Sequence, residues 1–64
     1  MTGYVKSCRR HYGFIVGDDK HEYFVHHTEM RQKLYPGARV IFRATINGKG
    51  YEAKEVKVIE GRMD

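Results

Sequence analysis

The chain has 64 residues, with twelve Lys and Arg against eight Asp and Glu, four His and one Cys. A chain of this size buries only about 60% of the surface its unfolded form exposes, which excludes a second large core or a deep catalytic cavity. One cysteine excludes an internal disulfide and fits a reducing cytosol, and no apolar run is long enough for a signal peptide or a membrane span. The expectation is a single cytoplasmic domain over residues 1–64, with its core in 3–59 and a polar tail over 60–64. The net charge of +4 is compatible with a polyanionic partner, so the placement of the charge matters more than its total.

The pattern along the chain is all β. "TGYVKSC" alternates, with Tyr4, Lys6 and Cys8 on one face and Val5 and Ser7 on the other. Arg9, Arg10 and His11 precede "YGFIVG", where Tyr12, Phe14 and Val16 share one side and Gly13 and Ile15 the opposite one. "GDDK" at 17–20 has turn composition. "HEYFVH" is the third strand, with Tyr23 and Val25 facing one way and Phe24 and His26 the other, so the second and third strands read as a hairpin.

"HTEMRQKLYPG" breaks the rhythm; Thr28 is placed to cap one helical turn through Met30 and Arg31. "ARVIFRATI" gives Val40, Phe42 and Ala44 one face, with Ile41, Arg43 and Thr45 on the other. "NGKG" is a hairpin signal. In the last strand, Tyr51 and Ala53 lie on one parity and Val56 and Val58 on the other. A β-bulge near Lys54 and Glu55 would bring both halves to the core. Five short strands in so small a chain fit a closed or partly open barrel, which removes exposed edges.

Gly13, Ile15, Val25, Val40 and Phe42 then fill the barrel, and Tyr12, Phe14, Phe24 and His26 face outward. Exposed rings in a cluster mark binding surfaces. Rings at strand spacing with cations nearby suit stacking of unpaired bases, and Lys6, Arg9, Arg10 and Arg43 are placed to meet phosphates. Gly13 is expected to leave room for a close neighbour between the rings.

These segments resemble the cold-shock domain family. "HYGFI" is similar to its first ribonucleoprotein motif and "YFVHH" to its second, with "GYVK", "LYPGARVIF" and "GKGYEAKEV" matching the opening strand, the fourth strand and the closing hairpin. The resemblance covers about residues 3 to 58. It implies a five-stranded antiparallel OB-fold barrel that binds single-stranded RNA or DNA, often as an RNA chaperone. It also implies that Tyr12, Phe14, Phe24, His26 and His27 stack on bases, that Lys6 and Lys49 approach the backbone, and that Glu22 accepts from a base edge. The sequence departs from the family pattern at several places. Ser7 and Cys8 stand where the family has rings, His11 where it has glycine, His27 where it has phenylalanine, and Tyr35 only approximates the loop phenylalanine. Weaker binding or a changed preference is expected, offset in part by charge from His11 and the arginines.

Other readings have less support. His26 and His27, adjacent on a strand, should point to opposite faces and not share a metal ion. Asp18 and Asp19 read as solvated turn carboxylates, and Cys8 lacks the orienting partners of a nucleophile. No catalytic residue, metal, cofactor or small-molecule substrate is therefore expected. The competing function is a protein-interaction module that uses the same rings as an apolar anchor.

Overall fold

In a computed structural model, which describes residues 1–30 and 34–59, the chain forms five strands. They are β1 (Thr2–Cys8), β2 (Tyr12–Gly17), β3 (Glu22–His26), β4 (Arg39–Asn47) and β5 (Gly50–Val58), with a single 3-10 turn (His27–Glu29) after β3. The strands close in the order β1-β2-β3-β5-β4. Neighbours pair antiparallel except β3 and β5, which meet parallel through Phe24 and Glu52. Strict antiparallel pairing is thus corrected at the seam where the barrel closes. The anticipated polar tail from Glu60 and the reach of a helical turn to Arg31 lie outside the described residues.

Alternation correctly separates inside from outside on β2 and β3. Ile15, Val25, Val40 and Phe42 are buried as expected, together with Val5, Tyr23, Ala53 and Val56. Leu34 and Ala38, from the connection into β4, are buried with them. Full burial of an aliphatic side chain such as Ile15 or Val25 contributes about 1.5–3 kcal/mol relative to exposure.

Two bulges set the phase of the strands around this core. On β5 the register passes from Ile41–Lys57 to Arg43–Lys54, leaving an extra residue where Glu55 adopts φ +53°. This is the expected bulge, and it turns both Ala53 and Val56 inward. The Glu55 backbone N–H donates to Glu29 Oε1 at 2.9 Å, so the 3-10 turn braces the irregularity. On β1 a second bulge lies between Val5 and Ser7. It breaks the simple alternation expected there: Val5 is buried, Lys6 is exposed, and Cys8 packs against the core instead of lying with Tyr4 and Lys6.

Ala44 is also exposed, although its parity matches Val40 and Phe42. Its partner across the β4–β5 ladder, Ala53, is fully buried, so the edge of the core runs between the two strands at this pair; Ile46, nearer the hairpin tip, is 72% exposed. The loop Gly17–Lys20 is more than a solvated turn. Asp19 accepts from the Tyr23 hydroxyl at 2.6 Å and the His21 backbone N–H at 3.1 Å, and Asp18 accepts from Thr2 Oγ1 and pairs with Arg39 at 3.6 Å. These carboxylates tie the turn to β1, β3 and β4.

Candidate nucleic-acid interface

The β2–β3 register pairs Tyr12 with His26 and Phe14 with Phe24. Because side chains alternate, all four project from the outer face. Tyr12, Phe14 and Phe24 form a nearly equilateral ring cluster, with centroid separations of 5.8, 5.9 and 5.9 Å. Tyr12 and Phe24 are stacked at 20°, whereas Phe14 meets both edge-on. Tyr12 is 39% exposed, and the two phenylalanines are half-buried. The rings therefore hold one another in place while leaving surface accessible to a planar ligand.

Gly13 lies on the other side of β2 and is buried. A Cβ there would stand 3.0 Å from the Ser7 carbonyl oxygen. The space it leaves is occupied by β1, which corrects the expectation that the glycine opens a gap between the rings.

Beyond His26 the chain leaves β3, and the histidines gather. The ring centroids of His26 and His27 are 4.5 Å apart, and those of His11 and His27 are 5.9 Å apart. Opposite-facing His26 and His27 hold only for a continuing strand. Here the 3-10 turn begins at His27 and rotates its ring alongside His26. His26, not Thr28, is the cap: its Nδ1 accepts from the Thr28 backbone N–H at 3.3 Å. That contact leaves the neutral ring's proton on Nε2. Among the described residues no group of three His, Cys, Asp or Glu side chains is arranged to hold a metal ion.

Two clefts adjoin this region: one meets the platform through His27, whose ring lies against that of His26, and the platform rings line the other. One, of about 430 Å³, is lined by Cys8, Arg9, Arg10, His27, Met30, Leu34, Tyr35 and Pro36. It brings four of the expected binding residues together. The other, of about 490 Å³, runs from Phe14, Glu22 and Phe24 to Asn47, Lys49, Gly50, Tyr51 and Glu52 on the β4–β5 hairpin. Asn47, Tyr51 and Glu52 were not legible as site residues. The signal for them is the parallel β3–β5 seam, which places Glu52 beside Phe24.

The cations differ in availability. Lys6 donates to Glu22 Oε2 at 2.5 Å, and this hydrogen bond, reinforced by the charge of Glu22, raises the lysine pKa above its ordinary value. Lys49 stands at the hairpin tip, where its backbone N–H donates to Asn47 Oδ1 at 2.8 Å. Arg43 does not join the platform: it lines a separate hollow with Met1, Ile41, Phe42, Glu55 and Lys57.

A closed five-stranded barrel carrying rings on β2 and β3 defines the chain as an OB-fold protein. Residues 1–59 match the family model described as the 'Cold-shock' DNA-binding domain. The chain belongs to this family of nucleic-acid-binding domains. A search of curated proteins finds no match. No helix among the described residues is long and apolar enough to cross a membrane.

Proposed function

We propose that the chain binds single-stranded RNA or DNA by stacking unpaired bases on Tyr12, Phe14, Phe24 and His26. The observation that carries this reading is the ring cluster of β2 and β3, with centroids 5.8–5.9 Å apart and cation-bearing clefts adjoining the platform. Every base has a π-face, so such a platform is sequence-tolerant, and each stacked base contributes about 1–3 kcal/mol. Arg9 and Arg10 supply positive charge at one end, beside the His11 and His27 rings, and Lys6 and Lys49 at the other. Tyr35 adds a ring to the basic cleft. Holding bases unpaired in this way is what an RNA chaperone or a regulator of transcription or translation does. The role requires no catalytic group, cofactor or small-molecule substrate.

The test is a fluorescence-anisotropy titration with a short labelled oligonucleotide at several salt concentrations. Affinity should fall with a log–log slope of about −0.7 per phosphate neutralised. It should collapse in a Phe14→Ala, Phe24→Ala double variant whose thermal unfolding remains cooperative. A salt-dependent signal indifferent to that variant would reduce the interaction to charge attraction. No binding, together with a protein partner recovered on the same ring face, would make the chain an interaction module.

A further inference from the structure

The β2–β3 ladder continues past its last strand pair, Tyr12 with His26. The His27 backbone N–H donates to the His11 carbonyl at 3.0 Å, which fixes these two residues opposite each other. The Arg9 N–H donates to the Tyr12 carbonyl at 2.7 Å, a tight turn that carries Arg10 and His11 between them. Strand alternation alone would send His27 away from the platform. The 3-10 turn instead brings its ring to 4.5 Å from that of His26, with the ring of His11 at 5.9 Å. Three exposed imidazoles therefore gather at the corner where Arg9 and Arg10 line the basic cleft.

The three rings are not equivalent. His26 Nδ1 accepts from the Thr28 N–H at 3.3 Å and lies 3.0 Å from Thr28 Oγ1, so a proton on that nitrogen would take away the acceptor of the cap. The rings of His11 and His27 make no hydrogen bond among the described residues, and their nitrogens are left for a ligand. Facing this pair are Cys8 from the end of β1, Arg9 and Arg10 from the β1–β2 connection, His26 from β3 and Tyr35 from the connection into β4. The carboxylate of the 3-10 turn, Glu29, is directed to β5, where it accepts from the Glu55 N–H at 2.9 Å. A proton on His11 or His27 therefore meets cations and no carboxylate among the described lining of the cleft.

Resting on the proposed nucleic-acid function, we infer that His11 and His27 form a backbone-phosphate site that closes by taking up a proton. Imidazole is the side chain whose charge changes between pH 5 and 8. A phosphodiester supplies the counter-charge that the chain itself does not, and its two free oxygens accept from both rings. Its charge favours the imidazolium form, so binding and proton uptake reinforce each other. Arg9 and Arg10, charged at every accessible pH, attract the strand, and the histidine pair fastens it as the solution becomes acid. His26, committed to the cap, takes no part in the uptake.

The test titrates a short labelled thymine oligodeoxynucleotide by anisotropy at fixed ionic strength, from about pH 8 to about pH 5.5, where histidine titrates and neither thymine nor the phosphodiester does. Affinity should rise about tenfold across that range, the lower end of what one opposing charge does to a titrating group. Calorimetry in two buffers of different ionisation enthalpy should show net proton uptake on binding. His11→Gln with His27→Gln should flatten the affinity profile and abolish the uptake. His26→Gln should weaken binding yet keep the rise. A flat profile in the unaltered chain, or a rise that persists in the double glutamine variant, overturns the phosphate site while leaving the ring platform standing. A rise lost with His26 alone moves the proton to the platform and overturns it too. If the glutamine variant binds at no pH, His11→Arg with His27→Arg decides: fixed charges should bind without pH dependence, and a remaining slope overturns the site. Failure of the unaltered chain to bind at any pH overturns the platform and the site together.

Discussion

At the β1–β2 end of the ring platform the lining charges are Arg9 and Arg10, with no carboxylate among the described residues of that cleft. At the hairpin end Lys49 is met by Glu22 and Glu52, and Lys6 nearby is already engaged by Glu22. Uncancelled positive charge attracts any phosphate backbone at long range, whatever its sequence. Charge that is largely cancelled attracts little, but its oriented acceptors distinguish one base edge from another. The two ends therefore divide attraction from discrimination, and the shared rings join them. A strand crossing the platform meets different chemistry at its two ends.

The largest effect should come from the rings that belong to both halves. Phe24 stacks with Tyr12 towards the basic end and lines the hairpin cleft. Phe24→Ala is expected to cost about 1–3 kcal/mol of binding, the value of one stacked base. Tyr35→Ala, which removes a ring from the basic cleft alone, should cost less. An anisotropy titration of both variants against one oligonucleotide checks the order. If Tyr35→Ala proves the more damaging, the platform is centred on the wrong strands.

Next in size is the charge asymmetry. Arg9→Ala with Arg10→Ala should make the log–log salt slope shallower by about 1.4, two phosphate contacts at about 0.7 each. Lys6→Ala with Lys49→Ala removes the same formal charge but should change the slope by less, because Lys6 already spends part of its charge on Glu22. Equal changes in the two double variants would erase the distinction between the ends.

Which parts of this asymmetry were legible in the sequence follows from how local each determinant is. The outward rings of β2 and β3 depend only on alternation, and the β5 bulge announced itself as a parity change between Ala53 and Val56. The basic end was legible for the same reason, since Arg9 and Arg10 directly precede the rings. The hairpin end depends on a contact between strands far apart in sequence, Phe24 with Glu52, and no local pattern encodes it. Arg43 appeared suited to the platform because parity fixes a face but not a position around the barrel. Cys8 and Ala44 departed from alternation for different reasons. A bulge shifted the phase at one, and at the other the edge of the core runs between Ala44 and its buried partner Ala53. The gathered histidines required knowing that β3 stops at His26.

The hairpin end also rests on a pH-sensitive support. The Tyr23 hydroxyl bond is the main cause holding the Asp19 carboxyl down to about 2, from an ordinary 3.8. The same bond, with burial, pushes the Tyr23 phenol up to about 12. A depressed carboxyl adds stability that is complete above its unfolded value and is lost as pH falls from about 4 towards 2. A raised phenol adds stability that is complete below its unfolded value of 10.0 and is lost as pH rises towards about 12. Tyr23→Phe should therefore move the acid unfolding midpoint upward and flatten the alkaline limb. Circular dichroism across the two pH ranges reads both effects. An unchanged acid midpoint would mean that the Asp19–Tyr23 bond does not support the turn.

The smallest effect should come from the ion pair at the hairpin end. Glu22→Gln removes a carboxylate from the hairpin cleft and releases Lys6 from its ion pair. Both changes favour a polyanion, so an all-thymine strand should bind about twofold more tightly, within the range of exposed ion pairs. Adding Lys6→Ala to Glu22→Gln should abolish that gain in the same anisotropy titration, because the freed cation is then missing. An affinity unchanged by Glu22→Gln would mean that the Lys6–Glu22 pair lies outside the path of the strand, and the two ends of the platform would then differ by Lys49 and Glu52 alone.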